Sequence, residues 1–322
     1  MKSLTINDAI YGEEIIENAV ILELIESPAL QRLKKVSQFG LPDRYYHLDG
    51  YSRFDHSLGV MILLRRLGAG EEEQIAGLLH DASHTAFSHL VDWLHGDTEN
   101  EDSQDRFHEE RLNQTDIPQI LSKYGYSVHR IADHHLFPLL EQDTPQLCAD
   151  RIDYAMREFK PRIVKKLLPK IITHKQRIVF EDQTSARLFA EEFLRAQMEH
   201  WGGEEAVSRY KIFSSILRYA LQHNWIKNDD LMRDDEHVLK LMDQYGDDRV
   251  QEILKLLSLR ALPDLPLEQQ ATPKKFRHVD PEFIKEGVVV RLSNEDETFK
   301  TMLEKAKKIN DLGIFSADPT KI

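Results

Sequence analysis

Cysteine is nearly absent: Cys148 is the single one in 322 residues. A lone thiol cannot close an internal disulfide, and it rules out a cysteine-based zinc finger. Long apolar runs are missing too. No stretch reaches the roughly 18–20 apolar residues that span a bilayer. The N-terminal MKSLTINDAI lacks the charged-then-apolar order of a secretion signal. A cytoplasmic, reducing setting is expected, with no membrane partner. Positive charge is in deficit: 42 Lys plus Arg against 55 Asp plus Glu give a formal charge of −13. Such a surface repels nucleic acid and anionic lipid at long range. It leaves room for an anionic small molecule, because a few cations in one pocket outweigh a distant field. No solenoid repeat and no heptad seam is visible.

What the chain does have is helical pattern. Apolar residues at three-to-four spacing predict helices over 14–37 (with a break at Ser27-Pro28), 56–67, 71–80, 146–159, 184–200 and 205–224. Gly96 to Asp105 reads as an exposed acidic loop. Residues 171–181 read as a hairpin, 287–293 as a strand and 295–309 as a terminal helix. Residues 261–281 hold four prolines without a period and read as a linker. The fold class is mainly α, a helical bundle with small β additions in the C-terminal half. Three segments are expected: a main domain over 1–200, its helical extension over 201–265, and a small α/β appendage over 266–322.

Fifteen histidines are also there, and their placement is uneven. Four pieces stand out: RFDHSLG (53–59), LLHDASHTAFSHLVD (78–92), FHEE (107–110) and ADRIDYAMR (149–157). His80 and Asp81 are neighbours at the end of an apolar helix. Adjacent helical side chains point about 100° apart, so both reach one point only at a helix end or across a crevice. A helical bundle can project His56, His80, Asp81 and Asp150 inward to one ion. Two imidazoles and two carboxylates without thiolate suit a divalent cation of hard or borderline type: Mn, Fe, Mg, Zn, Ni or Co. Such a cation acidifies its water and offsets phosphoryl charge. Asp153 reads as a supporting acid and Cys148 as a small buried residue.

In these ordered motifs the chain resembles the HD-domain phosphohydrolase superfamily, and most of all its dNTP triphosphohydrolases. The likeness runs from about Ile10 to Glu158 and loosely on to Arg195, with SPALQRLKKVSQFG (27–40) and SRFDHSLGV (52–60) as further landmarks. LLHDASHTAFSH (78–89) follows the family's HDxGHxPFSH, with Ser83 and Ala86 in place of its glycine and proline. The resemblance implies an HD-domain helical bundle and a metal-dependent phosphohydrolase. Its substrate would be a small phosphate ester, a nucleotide, with dNTP triphosphohydrolysis as the sharpest form. It implies His56, His80, Asp81 and Asp150 as metal ligands. His84 falls beside the scissile phosphate, His89 on a general acid oriented by Asp92, and His108–Glu109 on a histidine–acid pair at the phosphate. Arg53, Arg151 and Tyr154 fall on phosphate and sugar contacts, Gln38 on a nucleoside contact, and Arg195 on a distal phosphate arginine. Homo-oligomers are implied as well. Over MEHWGGEEAVSRY (198–210) the pattern departs: Gly203 and Glu204 replace the family's tyrosine and glutamine. Two alternatives stay open. One is an HD phosphatase or phosphodiesterase acting on another phosphate ester. The other is a di-iron oxygenase, with His108 and His134 holding a second metal.

Overall fold

A computed structural model describes residues 3–94 and 107–322; the acidic 96–105 loop lies outside the described residues. The chain opens on an antiparallel hairpin, β1 (Leu4–Asp8) and β2 (Gly12–Ile16). Residues 14–16, predicted helical, are therefore in a strand. The Asp8 carboxylate accepts the N–H groups of Ile10 (2.8 Å) and Tyr11 (3.0 Å), and Gly12 turns at φ 75°. Those local bonds favour a turn over a helix. Helix α1 (Ala19–Glu26) begins only where the Asn18 side chain caps Val20 and Ile21. The break at Ser27-Pro28 is present: Ser27 caps the next short helix and Pro28 occupies its first turn.

Helix α2 (Arg53–Arg66) is the central element, buried from Phe54 to Leu64 except at Asp55. It starts earlier than the periodicity suggested because Ser52 and Asp55 form a capping box. That start places Arg53 and His56 in its first turn, three residues apart and on one face. Helix α3 (Glu71–Leu79) packs on it through Gly77, where an added Cβ would lie 2.3 Å from Leu64 Cδ1. Helix α5 (Ala149–Glu158) crosses at Gly59, where a Cβ would meet Asp153 and Arg157 side-chain atoms at 2.1 Å. Between them in sequence, α4 (Leu90–Leu94) follows the HTAFSH loop.

Around this centre lie two apolar clusters. One gathers α1, α2, α3, α5 and α6 (Gln183–Ala196). The other gathers Phe39, Tyr46 and α4 with α7 (Glu204–Gln222), α8 (Asp235–Tyr245) and α9 (Asp248–Leu257). The predicted hairpin, β3 (Ile171–His174) and β4 (Arg177–Phe180), pairs in parallel with β5 (Glu282–Lys285) and through it with β6 (Val288–Arg291). The C-terminal segment thus shares a four-stranded sheet with residues 171–180. Its Val279, Phe283, Leu292 and Phe299 belong to the first apolar cluster. Helix α10 (Glu297–Asp311) completes that layer. Among the described residues no helix is long and apolar enough to cross a membrane.

Candidate metal centre

Helix α3 ends at Leu79, so His80 is its C-cap and Asp81 the first residue past it. A helix end is the place where two neighbouring side chains reach one point. His56 arrives from the first turn of α2 and Asp150 from the first turn of α5. His56 Nε2 lies 2.9 Å from Asp150 Oδ1, 3.2 Å from His80 Nε2 and 3.9 Å from Asp81 Oδ2. His80 Nε2 lies 3.5 Å from Asp150 Oδ1 and 3.6 Å from Asp81 Oδ1. Donors bound at about 2.0–2.2 Å to one ion stand roughly 3–3.6 Å apart, so these spacings are those of a coordination shell.

The outer hydrogen bonds aim the lone pairs. His56 Nδ1 is 2.7 Å from Asp153 Oδ2, and His80 Nδ1 is 2.7 Å from the Gly77 carbonyl. With each Nδ1–H donated outward, both Nε2 lone pairs face each other and two carboxylates. Electrostatics agree. Burial works against charging His80, but Asp81, Asp150 and the Gly77 carbonyl outweigh it and push the imidazole up to about 9. Burial also opposes charge on Asp81, yet Arg53, His80 and His84 hold its carboxyl well below the usual range. The point among these groups attracts positive charge, and the donor set fits a divalent cation.

Arg53 explains part of the loop that follows. The side chain is 2% exposed; its Nη1 donates to Asp81 Oδ2 (2.6 Å) and its Nε to Ser88 Oγ (2.6 Å). Ser88 and Phe87 sit at φ 50° and 61°, left-handed conformations that cost energy outside glycine. That turn puts Ser88 on Arg53 and delivers His89 to the cavity. Arg53 Nη2 is buried without a hydrogen-bond partner among the described residues.

Arg53, His80, Asp81, His89 and Asp150 line one wall of a cavity of about 350 Å³, while the fully buried His56 is not among the lining residues; the volume is within the size range of small-ligand sites. The HD domain family matches residues 53–157, the stretch that carries all four convergent groups. The uncharacterized protein YdhJ of Bacillus subtilis is 31% identical over 97% of this chain and 98% of its own length. The chain belongs to the HD-domain metal-dependent phosphohydrolases. A metal-dependent phosphohydrolase, cns2, of Cordyceps militaris is 29% identical over 87% of this chain and 85% of that one. Human deoxynucleoside triphosphate triphosphohydrolase SAMHD1 is 32% identical, but over only 37% of this chain and 22% of that protein. A solved phosphohydrolase structure from Bacteroides thetaiotaomicron shares the fold, with a TM-score of 0.60 at 20% identity over 94% of this chain and 85% of that one. A divalent cation is the cofactor of this HD-domain family.

The other residues singled out in the sequence divide. Gln38, His84, His89, Arg151 and Tyr154 line the cavity with Arg53. His89 Nδ1 is 3.3 Å from Asp92 Oδ2, with Asp92 buried behind it. His84 Nε2 lies 3.2 Å from Asp81 Oδ1. The Arg151 guanidinium is tethered to the Gln146 carbonyl (2.6 Å) and to Glu141 (3.4 Å). His108 is buried against Ser83 Oγ (2.7 Å), with its ring 5.0 Å from that of His134. His134 lines the cavity, and both Nε2 atoms are buried without a partner among the described residues. His108, Glu109 and Arg195 are not among the lining residues. Glu109 faces His129 at 3.2 Å, and Arg195 is held by Glu192 (2.5 Å) and Glu199 (3.3 Å).

A second wall of the cavity was not read from the sequence. A π-helical turn, Gln197–Trp201, brings His200 and Trp201 to the cavity. Glu158 binds both: one carboxylate oxygen is 2.5 Å from His200 Nδ1 and the other accepts the Trp201 indole N–H. The His200 Nε2 is 2.9 Å from the Tyr46 hydroxyl. Lys275, Phe276, Arg277 and His278, from the segment read as a linker, complete this wall. Two signals pointed there: the departure over 198–210, and the basic run KKFRH (274–278) in an acidic chain.

Proposed function

We propose that this protein hydrolyses a nucleotide phosphate ester, in its sharpest form a deoxynucleoside triphosphate, with His56, His80, Asp81 and Asp150 as its metal ligands. A divalent cation at that point supplies an acidified water and neutralises charge on the phosphoryl group. The observation that carries the reading is Arg53: a guanidinium 2% exposed, anchored on Asp81, with Nη2 unpartnered among the described residues at the cavity wall. A phosphate oxygen satisfies such a group, and one charge-assisted hydrogen bond there is worth about 1.5–3 kcal/mol.

His84 lies against Asp81, so its Nε2 proton is engaged. His89, at the cavity with Asp92 behind it, is the better placed to give a proton to the leaving oxygen. Tyr154 and the aromatic wall of Phe39, Tyr46 and Trp201 suit a flat base or a sugar face. Incubation with each of the four dNTPs under Mn, Mg, Fe and Co tests this. Release of tripolyphosphate and deoxynucleoside is expected, and no product under any of the metals removes the dNTP form. A wider phosphatase and phosphodiesterase panel then shows whether another ester is preferred.

A second reading rests on the paired, partnerless Nε2 atoms of His108 and His134. Both imidazoles are held neutral by burial, at about 3 and about 4, the form that ligates metal. Two ions per chain by metal analysis would favour a dinuclear phosphodiesterase, or a di-iron oxygenase if turnover needs oxygen. One ion removes both.

A further inference from the structure

Residues 272–280 form a strap fixed at both ends, and 275–278 line the cavity. Thr272 exchanges backbone hydrogen bonds with Ile314 (2.8 and 2.9 Å), and the Asp280 N–H donates to the Pro145 carbonyl (2.9 Å). Between those points the backbone is held from below. The buried Gln197 donates to the Lys275 carbonyl (2.8 Å) and Asn310 to the Lys274 carbonyl (3.1 Å). The Lys274 ammonium donates to the Gly202 carbonyl, so Lys274 is an anchor. Lys275 and Arg277 line the cavity.

Their position is unusual for this chain. The protein carries a formal charge of −13, yet five consecutive strap residues hold three cations and a histidine and no acid. Arg277 and Arg151 both act on the Tyr154 hydroxyl, and Arg151 also acts on His278. Collecting cations in one half-buried neighbourhood costs energy, and a bound polyanion offsets it. Arg195, the other candidate for a distal cation, is occupied by two glutamates. Arg53, His80, Asp81 and Asp150 line the same cavity as Lys275 and Arg277, so one chain of phosphates can meet both groups.

We propose that Lys275 and Arg277 form a distal-phosphate subsite, carried to the cavity by the strap, which selects substrates with a chain of phosphates over single phosphates. The proposal rests on the phosphohydrolase reading for the identity of the reacting end. Its test does not depend on turnover. Trp93 and Trp201 line the cavity, so tryptophan fluorescence of the full chain reports binding of inorganic tripolyphosphate and orthophosphate. Wild-type protein is expected to bind tripolyphosphate at least about tenfold more tightly than orthophosphate. A Lys275→Gln/Arg277→Gln variant should lose that preference, and a Lys275→Arg/Arg277→Lys variant should keep it. The subsite is wrong if wild type shows no preference, or if the neutral variant retains it. Hydrolysis of p-nitrophenyl phosphate with Mn is measured separately. Preference without turnover supports the subsite and removes the hydrolase reading; turnover without preference does the reverse.

Discussion

The histidine–aspartate wall of the cavity and the wall built from His200, Trp201 and the strap are held by different kinds of interaction. On the first, each group is fixed from behind: Asp153 on His56, the Gly77 carbonyl on His80, Ser88 on Arg53. Those supports come from the central helices, and Asp153 is itself clamped by Arg157 at 2.7 Å. On the second wall one carboxylate, Glu158, holds two rings, and a proline-flanked strap lies over a buried glutamine. The supports on the first wall, Asp153, Gly77 and Ser88, are all buried in the core of the central helices and the loop beside them. The second is held by bonds from a π-helical turn and from the strap's backbone rather than from the central helices. The proposed reaction lies on one side and the proposed selection on the other.

The strongest way to break this division is at His80. His80→Ala should reduce hydrolysis of every substrate below detection and lower the metal content per chain, with the helical circular dichroism signal kept. If a strap variant removed p-nitrophenyl phosphate turnover just as fully, the two walls would not differ in role. The next largest effect is expected at His89. His89→Gln should lower kcat by about 10²–10⁴-fold on esters with poor leaving groups, and far less on p-nitrophenyl phosphate, whose leaving group needs no proton. Equal losses on both would remove the general-acid role.

Asp153→Asn sharpens the comparison from behind the metal side. It should weaken Mn affinity by about 10–100-fold in a calorimetric titration. It also leaves the buried Arg157 with a weaker partner, so the melting temperature should fall. Unchanged metal affinity would mean that Asp153 only braces the fold. The smallest effect is expected on the second wall. Glu158→Gln frees His200 or Trp201 at a cost of about 1–3 kcal/mol. It should raise KM for the preferred substrate more than it lowers kcat, and a change in kcat alone would place Glu158 with the reacting groups.

The helical fold class was legible because apolar spacing is a local property: α3, α5 and α7 lie close to where the periodicity put them. The first hairpin was missed because Asp8 and Gly12 act through side-chain bonds and a positive φ, which a periodicity count does not register. The start of α2 was misplaced for the same reason, since the Ser52–Asp55 capping box is a local bond and not a pattern.

The sequence by itself determined which residues converge in the histidine–aspartate half. His80 and Asp81 are consecutive, and the end of one helix suffices to bring them to a point. His56 and Asp150 are 94 residues apart but sit in first helical turns marked by motif. Only the tertiary structure decided the half built from His200, Trp201 and the strap. The Lys275 backbone reaches Gln197 across 78 residues, and no spacing rule links a proline-rich segment to a cavity. The physical reason is that local bonds write their own pattern into the chain, whereas a strap is placed by whatever surface happens to lie beneath it.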